Sequence, residues 1–212
     1  PLLIAGLLRW GYPHLLAAWP QASDYNMLIL CMLSITAGVM PGMAIAFVVL
    51  DENDNGLLPV LMILPVSIRR IILCRALLIY IYAAVAAFLV LICSNLFQGQ
   101  VWQALILSLL AASPSVSLGL IPAFFADNKI EGATLAKLLN FVLILPLPAL
   151  LFEGSWTMFF MVLPPWWIYK SFVTAEAGVS FLMPVGMGMA LHALMAAGII
   201  RYIFRRRLYL AA

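Results

Sequence analysis

The sequence predicts an all-α polytopic membrane protein, and three observations predict it. Of 212 residues, 66% are hydrophobic and only 9% are charged, against roughly 25% charged in an ordinary soluble domain. Five apolar stretches each reach the about 20 residues that a bilayer-crossing helix needs. Lysine and arginine gather on one set of connections between those stretches, as a positive-inside topology requires.

Taken in order, Pro1 to Leu8 is apolar but too short to cross, and it reads as the end of a truncated first helix of six. No basic flank precedes it and no small-residue cleavage site follows, so a signal peptide is not expected. The full spans are expected over Tyr25 to Leu50, Ile71 to Phe97, Trp102 to Phe125, Ala133 to Phe152 and Val179 to Phe204. At 1.5 Å per residue, helices of such lengths cover roughly 30 to 40 Å, enough to cross with some tilt. Between the last two spans, Trp156 to Leu163 and Trp166 to Val173 are apolar but short and are separated by Pro164-Pro165. They predict a pair of re-entrant or interfacial helices over 156–173, because backbone that turns at membrane depth must be shielded by protein or water. The chain thus reads as a single transmembrane domain over 1–212.

If the loop from Asp51 to Arg70 is cytoplasmic, that side holds nine basic residues, and the other holds only Arg9 and Lys170. Trp10, Trp19, Trp102, Trp156, Trp166 and Trp167 all fall in or beside the opposite loops, where amphipathic rings favour the headgroup layer. Both termini are then expected in the cytoplasm.

Several functions are excluded by what the chain lacks. The net charge of +3 is scattered, with no basic stripe or nucleic-acid motif, so nucleic acid is not an expected partner. Cys31, Cys74 and Cys93 lie inside apolar stretches without CxxC spacing and read as packed hydrophobes. There is no Walker A, HExxH or GxSxG pattern and no TVGYG filter, so neither an ATPase, a hydrolase nor a potassium-type channel is expected. None of the eight acids lies within a predicted span, which argues against an ion-coupled carrier, whose intramembrane acid binds the ion. His192 is the one central ionisable residue, and a helix-interface histidine competes there with a relay or substrate contact. Energy for transport must then come from a partner.

The most informative polar segment is Asp51-Glu52-Asn53-Asp54-Asn55-Gly56, followed by Leu57-Leu58-Pro59-Val60-Leu61-Met62-Ile63-Leu64-Pro65. Acids and Asn precede the apolar run, where they complement a helix N-terminus, and Pro65 stops it after about two turns. Ser67 is placed to cap the next span, which opens with Arg69 and Arg70. A short helix over 57–64, apolar and flanked by charge, suits docking onto another protein. The rival EF-hand reading fails because Met62 stands where a bidentate Glu is required, so no metal site is expected.

Asp51-Glu52-x-x-x-Gly56-x-Leu58, with Leu64-Pro65-Val66-Ser67 beyond it, resembles the segment after the second helix in membrane subunits of ABC-2 type transporters. Asn128-Lys129-Ile130-Glu131-Gly132 is similar to the N-K-V-E-G stretch of the fluoroquinolone export permease branch, and Leu163-Pro164-Pro165-Trp166-Trp167 falls where that branch has a Leu-Pro-x-Tyr-Trp-like segment. The resemblance spans Leu8 to Arg207, with the three motifs in order. It implies a six-helix bacterial or archaeal cell-membrane permease that dimerises with a second copy or a paralogue and exports its substrate. It also implies a coupling helix, with Asp51, Glu52, Asp54, Gly56, Leu57, Leu58, Leu61, Pro65 and Arg69, seated on an ABC ATP-binding subunit. Asn128, Lys129, Glu131 and Gly132 form the second cytoplasmic loop of that reading. ATP and Mg belong to the partner, and no cofactor is expected in this chain.

Gly38-x-x-x-Gly42 and Gly186-x-x-x-Ala190 are small-xxx-small patterns, open to packing within the chain or across a dimer. Met40, Met43 and Phe47, with Asn140, Phe141 and His192, are candidates for a soft substrate path. Two alternatives to an exporter remain open: a non-transporting membrane scaffold or assembly protein, and a proton-coupled carrier.

Overall fold

The structure is a computed structural model that describes residues 1–56, 67–151 and 155–208. All regular structure among the described residues is helical, and five helices are long and apolar enough to cross a membrane. The chain is a multi-pass helical membrane protein.

The first helix, α1, runs over Leu2–Ala18, ten residues beyond the Leu8 limit read from the sequence. It continues because Leu7–Gly11 forms a π-helical turn that absorbs the irregularity, and Pro13 then falls in the first turn of the resumed helix, where its missing N–H is not needed. A 3-10 turn over Pro20–Tyr25 leads into α2, Asn26–Asp54. The Tyr12 hydroxyl donates to the Ala22 carbonyl at 2.9 Å and also to Asn26 Oδ1, which ties α1 to the start of α2.

α3 spans Ile68–Cys93, α4 Val101–Phe125 and α5 Lys129–Ile144. Pro146 and Pro148 interrupt the fifth span, and a single turn, α6, Pro148–Leu151, resumes it. The expected pair of short helices is a 3-10 helix over Ser155–Val162 and an α-helix, α7, over Pro164–Glu176. The last span, α8, is Leu182–Leu208.

α4 is the axle of the bundle. Every residue from Leu110 to Leu120 is buried, and the small side chains Ala111, Ala112, Ser115 and Gly119 let α2 approach closely. A Cβ on Gly42 would collide with the Ser115 carbonyl, and one on Gly119 would sit 2.9 Å from the Gly42 carbonyl. Gly38-x-x-x-Gly42 is therefore an intrachain seam between α2 and α4. Gly186 and Ala190, by contrast, lie on the exposed side of α8. Pro114 leaves the Leu110 carbonyl without its helical donor, and the Ser113 hydroxyl donates to it at 2.6 Å. Trp166 also departs from the headgroup role: it is buried beside Ile168, Tyr169 and Phe172, whereas Trp10, Trp19 and Trp102 are exposed. A residue in the first turn of α7 faces the bundle, not the lipid.

Candidate functional site at the acidic end of the bundle

The sequence suggests that Asp51 to Gly56 form a loop, but α2 continues through Asp54. Asn55 closes the helix, its Nδ2 donating to the Asp51 carbonyl at 2.8 Å, and Gly56 turns the chain with φ +67°. Acids in a last helical turn oppose the helix dipole, so their presence calls for nearby cations. Two are supplied from distant helices. Arg75 Nη2 donates to both carboxylate oxygens of Glu52 at 2.7 Å, and Lys129 Nζ lies 2.5 Å from Asp51 Oδ1. The end of α2 is thereby braced to α3 on one side and to α5 on the other.

Arg75 was not singled out among the candidate residues of the sequence, 23 positions from its partner Glu52. Its position two turns into a span was the available signal, because a charge at that depth needs a protein partner. Arg69 makes a further link, its guanidinium 5.7 Å from the Phe204 ring on α8. Asp54 is exposed beside the Asp51–Lys129 pair.

The second motif is a helix start and not a loop. Asn128 is the N-cap of α5: its Oδ1 accepts from the Glu131 amide at 2.9 Å, while Glu131 Oε2 accepts from the Asp127 amide at 2.8 Å. These two bonds satisfy amides at the start of α5, next to Lys129. Gly132 is buried one turn on, where any Cβ would run into Leu50 Cδ1. Every residue singled out in Asn128-Lys129-x-Glu131-Gly132 thus has a job in seating α5 against the end of α2. Ser67 stands at the N-cap of α3, but its side chain makes no cap hydrogen bond. Leu57, Leu58, Leu61 and Pro65, and with them the expected coupling helix over 57–64, lie outside the described residues.

The candidate path residues do not all converge. Met40 lines an apolar hollow of about 530 Å³ between α2 and α3 with Pro41, Ala44, Ile45, Tyr82 and Val85; Met43, Phe47, Asn140, Phe141 and His192 are not among its lining. Met43 is half-buried against the main core, Phe47 and Asn140 are half-buried, and Phe141 is 65% exposed. His192 is only 1% exposed, and its Nδ1 pairs with the Gly188 carbonyl at 2.8 Å. Helix geometry separates them: Met40 faces α3, whereas His192 belongs to α8. The acidic end holds no nucleophile–base arrangement among these residues; it offers a surface of paired charges suited to holding helices and meeting a protein.

A family model described as "Fluoroquinolones export permease protein Rv2686c-like" matches residues 1–200. Two Mycobacterium tuberculosis relatives, the fluoroquinolones export permease proteins Rv2686c (strain H37Rv) and MT2760 (strain CDC 1551), are each 29% identical over 155 residues, covering 72% of this chain. The chain matches 61% of the length of these curated relatives. No solved structure matches. The chain belongs to the Rv2686c-like family of fluoroquinolones export permease proteins.

Proposed function

We propose that this chain is the membrane-spanning permease subunit of an ATP-driven exporter of the ABC-2 type, taking drug-like amphipathic molecules out of the cell. The observation that carries the reading is the joining of the two motifs through Asp51 and Lys129, which braces the end of α2 immediately before the segment 57–66. A docking element that receives force from an ATPase needs a rigid root, and the root here is tied to α3 and α5. ATP and Mg are supplied by the partner subunit, and the acidic end faces the cytoplasm. A second permease copy or paralogue pairs with this one, and the exposed small-residue stripe at Gly186 and Ala190 suits such a contact.

The test is drug uptake into inverted vesicles containing the permease with and without its ATP-binding subunit. Uptake should need both proteins and ATP. Leu61→Glu should abolish co-purification with the ATPase while membrane insertion persists. Uptake driven by a proton gradient through the permease alone, and lost in His192→Asn, would replace this reading with a proton-coupled carrier. No substrate movement under either condition would favour a scaffold.

A further inference from the structure

At the end of the bundle opposite Asp51, the first turn of α2, the α3–α4 loop and the last turn of α7 enclose a cavity of about 330 Å³. Its polar lining comes from Asn26, Gln98, Gln103 and Glu176, and its apolar wall includes Met27 and Phe97. The loop is held down over it: the Gln100 amide donates to Gln103 Oε1 at 2.8 Å, and a Cβ on Gly99 would meet Phe97 and Gln103 Oε1, each at 2.5 Å.

The charge in the cavity is one-sided. Among the described residues, Glu176 is its only ionisable group, and both salt bridges lie at the other end. It ends α7, where the helix carbonyls add partial negative charge. Glu176 is exposed at the cavity mouth, and partial burial of its carboxylate raises its pKa. The neutral amides surrounding it donate and accept hydrogen bonds but bring no counter-charge.

Size narrows the ligand. Small-molecule pockets occupy about 300–1,000 Å³, so this cavity takes a charged head and part of an apolar body. An adjoining hollow of about 220 Å³ shares Gln103 and Ala175 with it and is lined by Trp102 and Phe181, whose rings stack at 5.7 Å. We propose that the cavity binds an amphipathic organic ammonium ion, its N–H groups on the Glu176 carboxylate and its apolar body against Met27 and Phe97. The inference deepens the export reading, on which it rests for its role as a station on the exit side of the substrate path.

The experiment uses the full chain in lipid nanodiscs, without ATPase or nucleotide, and compares 1-naphthylmethylammonium with the neutral 1-naphthalenemethanol by fluorescence titration. Wild type should hold the ammonium at least tenfold more tightly than the alcohol. Glu176→Gln should remove that preference and leave alcohol binding unchanged. Gln98→Lys, at an exposed position on the rim, should weaken the ammonium tenfold by placing a tethered cation beside Glu176. Equal binding of the two probes by wild type, or an unchanged preference in both variants, overturns the proposal. Loss of ATP-driven uptake from the system with the ammonium preference intact would count against the export reading and not against the site.

Discussion

Asp51, Glu52, Arg75 and Lys129 show how exposure sorts ion pairs by role. Glu52 and Arg75 are 21% and 23% exposed, and both oxygens are engaged, so the pair stabilises the helix ends. Arg75→Ala should cost about 1.5–3 kcal/mol, the worth of hydrogen bonds to a charged group, read as a lowered unfolding temperature in detergent. Because a single nitrogen makes both contacts, Arg75→Lys should recover much of the loss. Asp51 and Lys129 are 55% and 50% exposed, so water and salt screen their attraction. Lys129→Asp should therefore barely move stability, yet under the export reading it should lower ATP-coupled uptake severalfold. Adding Asp51→Lys should restore uptake, and failure of that swap would remove the brace from the mechanism.

The helices themselves depend on close backbone contact and on their ends. α2 and α4 meet through Gly38, Gly42 and Gly119, and a methyl group at Gly42 has no room against the Ser115 carbonyl. Gly42→Val should destabilise by about 1–3 kcal/mol or prevent accumulation in the membrane, as overpacking does. Gly186→Val, on the exposed side of α8, should leave monomer stability unchanged. For α5, Asn128→Ala removes the N-cap and should cost about 1 kcal/mol, measurable by the same thermal unfolding. Both element ends at the acidic face run further than the apolar pattern suggests. α2 extends through Asp54 because Arg75 and Lys129 offset its acids, and α5 begins at Lys129 because Asn128 caps it while Glu131 holds the Asp127 amide. Hydropathy marks where a chain leaves lipid, not where a helix stops.

Considered as one body, the protein places paired charges at one end and a cavity with a lone carboxylate at the other, with α4 buried between them. In a cysteine-free background, Ser23→Cys should react with an impermeant maleimide from outside the cell, and Asp127→Cys only after permeabilisation; the reverse pattern would overturn the proposed orientation. The five spans and the helix pair before the last one were legible in the residues, since lipid leaves a backbone no partner but its own helix and about 20 apolar residues in a row have one outcome. The meeting of Asp51 with Lys129, Glu52 with Arg75, and Asn26 with Gln103 and Glu176 around one cavity was not. Those residues are far apart in the chain, and their encounters depend on how close α2 and α3 come to α4. The small side chains and glycines along the seam decide that distance, a property of packed surfaces that no single segment carries.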